Sequence, residues 1–196
     1  MLTMNSSGID SNDELLAYAL SLIASGYYSE SQLPEMLHDW VEGDNDEPAE
    51  HARIATVIEQ AIATQLKEQE SYPAVTDYER LRQAFGQLEA AGFLVRENYT
   101  CCQSCGWSEA HEELAEAVKQ GRPFKGVVFF HEQDTDGAVE GGGLYLAYGG
   151  ENGSEAAGQQ ITQALQAAGL AVEWNGSVNT RIMVPMTWQR RFVREA

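Results

Sequence analysis

Cys101, Cys102 and Cys105 are the only cysteines of the chain, and they fall within five residues of one another. Cys102-Gln-Ser-Cys105-Gly106 has the spacing of half a zinc knuckle, in which two thiolates bind at about 2.3 Å and a following glycine permits the tight turn. No second half follows. A complete tetrahedral site would need Cys101, or a distant group such as His111 or His131, to supply the remaining ligands. Zinc is therefore the cofactor that this spacing admits, with Cys102 and Cys105 as its metal ligands. Redox chemistry is the second candidate, because a C-x-x-C between a strand and a helix can have a thiol pKa lowered by the helix N-terminus. Two features count against it: helical periodicity places the helix start near Ser108, beyond Cys105, and no proline opens a following strand. The third reading is of small thiols that pack and do nothing. It ranks ahead of either alternative taken singly, because the knuckle is half complete.

A second set of reactive side chains occupies the segment from His131 to Gly143. His131, Glu132, Asp134, Asp136 and Glu140 follow an apolar run, and Gly141, Gly142 and Gly143 lead into the next one. Their oxygens and nitrogens suffice to hold a divalent cation or ligand, or to run general acid/base chemistry, and functional side chains cluster at strand ends. The competing reading is a solvated loop joining two strands of an acidic protein. The glycines are not a phosphate loop, since a strand follows them and no lysine is present. Trp107, Trp174 and Trp188 read as sheet-packing aromatics, and Arg181 as the partner of a neighbouring carboxylate.

The elements that must carry these residues change character near Gly92. Leu15, Leu16, Ala19, Leu20 and Ile23 make one helical stripe, with Ser11 and Glu14 spaced as a capping box and Gly26 as a stop. Leu33, Met36, Leu37, Trp40 and Val41 make a second, ended by Gly43, and Pro48 opens a third carrying Ile54, Ile58, Ala61 and Ile62. Thr76 and Glu79 form another capping box ahead of Leu81, Phe85 and Leu88. From Phe93 short apolar runs take over: a strand to Tyr99, a helix from Ser108 to Gln120, strands at Val127 to His131 and Leu144 to Tyr148, a helix after Ser154, and a hairpin around Asn175-Gly176. The expectation is an α+β protein with a helical N-terminal half, followed by a split βαβ, ferredoxin-like antiparallel sheet with helices on one face. The segment from Lys67 to Ala74 is the better boundary, dividing a helical region, 1–75, from an α+β domain, 76–196. A winged helix formed by the Thr76 to Ala91 helix and the Phe93 strand ranks second.

The segments ENYTCCQSCG, VVFFHEQDT, VEGGGLYLAYG and AGLAVEWNGS are similar to an uncharacterised bacterial family, a domain of unknown function. The resemblance is strongest over Leu81 to Arg191 and implies that the cysteine and HEQDT segments belong to one module. It implies no activity.

Charge narrows the partners. With 30 acidic and 12 basic residues the formal net charge is −18, which repels phosphate backbones and anionic lipid. Nucleic acid and membrane are disfavoured, and a protein partner with a basic surface is favoured. From Glu30 to Glu50 there are eight acids and no lysine, while Arg181, Arg190, Arg191 and Arg194 lie near the end, so the tail itself could meet the acidic segment. The odd cysteine count and the lack of a secretory or spanning segment suit a reducing, cytoplasmic setting. No G-x-S-x-G, H-E-x-x-H or G-x-G-x-x-G occurs. The leading functional expectation is a non-catalytic acidic module that binds a protein or ligand. The alternative is a metal-dependent or thiol-based enzyme or sensor.

Overall fold

A computed structural model describes residues 12–41, 48–150 and 154–195. Ser11 and Gly43, expected as a cap and a stop, lie outside the described residues. The chain forms two compact units, one from residues up to Tyr72 together with those from Arg191 onward, the other from Pro73–Arg190.

The first unit holds α1 (Asn12–Ser25), α2 (Leu33–Trp40) and α3 (Pro48–Glu68), with a 3-10 turn at Gln69–Ser71. Leu15, Ala19, Leu22 and Ile23 of α1 repeat at three- and four-residue spacing, so they share a face and bury against Ile54, Ile58, Ala61 and Ile62 of α3. The C-terminal tail completes this core. Phe192 inserts among these residues, its N–H donating to Gln69 Oε1 at 3.1 Å and its carbonyl accepting from Gln69 Nε2 at 3.2 Å. Two residues on, Arg194 pairs with Glu30 at 3.0 Å and with Glu59. The basic tail thus answers part of the acidic excess within the chain.

The second unit holds α4 (Asp77–Ala90), β1 (Phe93–Arg96), α5 (Gln103–Lys119), β2 (Gly126–Phe129), α6 (Glu132–Val139), β3 (Leu144–Gly150), α7 (Ser154–Ala167) and β4 (Ile182–Val184). The Thr76–Glu79 capping box forms as expected: the Glu79 N–H donates to Thr76 Oγ1 at 3.3 Å and the Thr76 N–H to the Glu79 carboxylate at 2.7 Å. Among the described residues every strand follows Gly92, so the α+β class and the helical first half stand.

The sheet differs in detail from a split βαβ. Its strands stand in the order β1-β2-β3-β4, with β1 and β2 parallel and the remaining neighbours antiparallel. A helix between two strands permits either an adjacent parallel partner or a skipped one, and periodicity carries no information about which. Helices also cover both faces rather than one. Leu94, Val127, Phe129 and Ala147 pack on Ala110, Trp107 and Leu114 of α5. On the opposite face Phe130 meets Phe85 of α4 at 6.1 Å between ring centroids, and Tyr148 and Trp174 crowd Gly158 of α7. Leu170 to Trp174 does not form the expected strand; only a single bridge joins Glu173 to Met183.

Two segments read as irregular are helical. The α5 helix begins at Gln103, five residues before the expected start, and α6 replaces the loop that was to follow His131. Both contain an internal glycine, Gly106 in α5 and Gly137 in α6. Gly106 has a packing reason for its place: a Cβ there would stand 2.5 Å from Phe129 Cε2. The first turn of α5 can lie on β2 only because that atom is missing. Gly106→Ala should therefore destabilise the protein by about 1–3 kcal/mol, the usual cost of overpacking, although alanine is the better helix former by about 1 kcal/mol. Urea denaturation checks this, and an unchanged or raised midpoint would show that α5 lies on the sheet without that close approach.

Candidate functional site

The parallel pairing of β1 and β2 continues past the strands. The Phe130 N–H donates to the Arg96 carbonyl at 3.3 Å, the Tyr99 N–H to the Phe130 carbonyl at 2.8 Å, and the Glu132 N–H to the Thr100 carbonyl at 3.0 Å. To follow this course the chain adopts left-handed conformations at Asn98 (φ 47°) and Thr100 (φ 62°). Asparagine tolerates that region, whereas a β-branched residue rarely enters it. Asn98 Oδ1 also accepts from the Thr135 hydroxyl at 2.6 Å. The cysteine segment and the His131 segment therefore leave the sheet at the same end, side by side.

Cys102 is the N-cap of α5, in extended backbone at φ −156° and ψ 169°, and Cys105 lies in the first turn. This removes the objection that the helix starts too late to act on a thiol. The sulfurs of Cys101, Cys102 and Cys105 all lie within 4.8 Å of one another, the one such group of three metal-ligating side chains among the described residues. Cys101 and Cys105 are exposed and Cys102 is half-buried. The Ser104 hydroxyl stands 3.3 Å from Cys102 Sγ. That hydroxyl, the Cys105 backbone N–H and the two neighbouring thiols favour the Cys102 thiolate, pulling its pKa down to about 6. The negative sulfur then works on its neighbour: hydrogen bonding to Cys102 and Cys101 in the thiol form, and their charge, push Cys105 up to about 11. Of these two interacting thiols, Cys102 is the more acidic.

His131, the alternative fourth ligand, is engaged elsewhere. It is 4% exposed and caps α6, with its Nε2 3.1 Å from Asp134 Oδ2. The same oxygen accepts from the His131 backbone N–H and from Arg181, the carboxylate pairing expected for that arginine. Burial lowers the His131 pKa, Asp134 acts to raise it and Arg181 to lower it, so the ring stays neutral near pH 7. His131 Nδ1 is buried with no hydrogen-bond partner. The helix sorts the remaining carboxylates. Asp134 is buried with Thr135 and Ala138, whereas Glu132, Asp136 and Glu140 follow one another at four-residue spacing on the other side, Glu132 half-buried and the other two exposed. The Asp136 carboxyl is pushed up by partial desolvation and by Glu140 one turn on.

Residues that the sequence did not single out hold α5 in place. Glu113 Oε1 accepts from Arg96 Nε at 3.0 Å and from the Tyr99 hydroxyl at 2.7 Å, tying the middle of α5 to the end of β1. Burial alone would raise the Glu113 pKa, but hydrogen bonds from Arg96 and Tyr99 together with the Arg96 charge outweigh it, and the carboxyl is lowered. The expected aromatic packing of Trp107 is found: it meets Phe129 edge-on at 5.2 Å and stacks with His111 at 5.6 Å. Beyond these rings a groove of about 620 Å³ runs between His111, Leu114 and Val118 of α5 and Phe124, Val127 and Gly149.

A family model described as Domain of unknown function (DUF6891) matches residues 10–192, and the chain belongs to that family. No curated protein and no solved structure matches the chain. No described helix is long and apolar enough to cross a membrane.

Two titrations follow from this geometry. In metal-free protein, iodoacetamide should modify Cys102 before Cys105, with a rate that rises around a midpoint of about 6, while Cys105 remains slow until far higher pH. Site-resolved mass spectrometry checks the order, and one shared midpoint near about 8.5 would show ordinary thiols. His131 generates the second. Its folded pKa lies below the unfolded value of about 6.5, so the unfolded chain takes up the proton first and the group's stabilising contribution, complete above that value, is lost as pH falls through the folded pKa. Between about pH 7 and 5 the wild-type melting temperature should fall more than that of His131→Gln; parallel curves would contradict the assignment.

Proposed function

We propose that this member of the DUF6891 family binds a soft, closed-shell divalent cation, zinc, through Cys101, Cys102 and Cys105, and leaves one coordination position to an outside ligand. The observation that carries this reading is the convergence of three sulfurs within 4.8 Å. Tetrahedral zinc with Zn–S of about 2.3 Å sets its thiolates about 3.8 Å apart, so the cluster needs to contract by about 1 Å at most. Two of the three cysteines are exposed, and that movement requires only rotation of surface side chains. Three thiolates on one divalent cation leave a net charge of −1, which the N-terminus of α5 favours. Three protein ligands with a fourth position open is the ligand count of reactive zinc sites rather than closed structural ones. Exposed thiols of this kind suit a reducing, cytoplasmic compartment.

A non-catalytic module that meets a basic protein partner is the second reading, supported by the charge of −18. It has less behind it, because Arg194 already draws on Glu30 and Glu59 within the chain.

Elemental analysis tests the zinc site. Protein equilibrated with zinc and freed of excess should retain about one zinc per chain, released as pH falls toward 5 because the ligands must be deprotonated. Cys105→Ser should lose most of that metal. The triple variant Cys101→Ser, Cys102→Ser, Cys105→Ser should fold, with a stability change of about 1 kcal/mol at most since serine also suits the N-cap position of Cys102, and bind none. Equal zinc content in the wild type and the triple variant would defeat the proposal.

A further inference from the structure

We infer that Cys102 and Cys105 are a redox couple that controls the cation: a hydroperoxide joins them as a disulfide, the ion loses two of its three sulfur ligands, and it leaves. This regulation rests on the three-thiolate reading above, although the disulfide does not. The pairing follows from backbone placement. Cys102 caps α5 and Cys105 lies three residues on in the same turn. With a rise of about 1.5 Å per residue and a Cα radius of about 2.3 Å, one turn of helix separates the Cα atoms of such positions by about 5 Å, inside the Cα range of about 4.4–6.8 Å that a disulfide spans. Cys101 and Cys102 are neighbours in sequence, and a trans peptide holds their Cα atoms about 3.8 Å apart, short of that range. The inferred couple leaves Cys101 as the single thiol.

Access and chemistry agree with this pairing. Cys105 is exposed and Cys102 half-buried, with the Ser104 hydroxyl 3.3 Å from the Cys102 sulfur. Closing sulfurs that lie within 4.8 Å to a bond of about 2.05 Å requires rotation of two surface side chains and no movement of the helix. In the first step the Cys102 thiolate attacks one oxygen of hydrogen peroxide; an S–O bond forms, the O–O bond breaks, and the second oxygen leaves as hydroxide, which takes a proton from solvent to become water. In the next the Cys105 sulfur attacks the resulting sulfenic sulfur; the S–S bond forms, the S–O bond breaks, and a second water leaves. Two thiols are oxidised and one peroxide is reduced to two waters. A dithiol reductant reverses the change by exchange and restores the ligands.

The experiment uses the full chain in zinc-loaded and metal-free forms, treated with hydrogen peroxide in slight excess. Three readouts are followed: zinc release to a chromophoric chelator, the count of free thiols, and disulfide mapping by mass spectrometry after alkylation. In the zinc-loaded protein about two thiols should disappear per zinc released, the crosslink should join Cys102 to Cys105, and dithiothreitol should restore both thiols and zinc binding. Cys101→Ser should keep the crosslink. Cys105→Ser should abolish it and leave Cys102 open to capture by dimedone as a sulfenic acid. Metal-free protein that forms the Cys102–Cys105 crosslink but never binds zinc would leave the couple standing and remove the metal reading. Zinc that binds and stays on under peroxide, a crosslink through Cys101, or oxidation of all three sulfurs to sulfinic acids without a disulfide would each overturn the inference.

Discussion

The candidate site depends on the parallel pairing of β1 with β2 and its continuation beyond both strands. Parallel neighbours leave a sheet at the same end, so the segments that follow them are adjacent without any further device. The contacts from Tyr99 to Phe130 and from Glu132 to Thr100 then hold those segments together over the residues where the chain would otherwise diverge. The left-handed conformation of Thr100 is tolerated because two neighbouring backbone hydrogen bonds and the Asn98–Thr135 contact determine the path on either side of it. Had β1 and β2 been antiparallel, the cysteines and His131 would have emerged at opposite ends.

Proximity of the segments does not make one site of them. The two sets of side chains are separated by their demands on solvent. His131 and Asp134 belong to a buried arrangement in which one carboxylate oxygen serves a backbone amide, an imidazole and a guanidinium, and that arrangement starts α6 and ties it to Arg181. The cysteines stay at the surface, where a helix N-terminus and a serine hydroxyl favour a charged sulfur. On a chain with net charge −18, a thiolate at an ordinary surface position would meet an unfavourable field. The amides at the start of α5 offset that locally.

Rigidity of the thiol platform comes from residues that perform no chemistry. Gly106 allows α5 to touch Phe129, Trp107 wedges against the same ring, and Glu113 is held by Arg96 and Tyr99. The first turn of α5 is therefore fixed to the sheet at two places around the cysteines while the cysteines remain open to solvent. A site of this construction binds or reacts by side-chain rotation alone, and the loss of one anchor would shift the sulfurs together rather than one at a time.

Periodicity and capping were legible from the residues themselves. The helical half, the Thr76–Glu79 box and the positions of the four sheet strands all follow from local pattern, since each depends on neighbours within about one or two turns. Pattern failed where a local signal had a distant cause. Gly106, placed in the sequence as the residue of a tight turn, lies inside α5 where Phe129 leaves no room for a Cβ, Gly137 sits within α6 despite its low helix propensity, and the N-cap position of α5 is held by Cys102 rather than by a serine, threonine, aspartate or asparagine that would announce a helix start. Strand order, the two-sided covering of the sheet and the choice of Asp134 as the carboxylate that Arg181 meets were likewise decided only by tertiary structure. They depend on which surfaces bury together across long separations of chain, and no spacing within a segment records that choice.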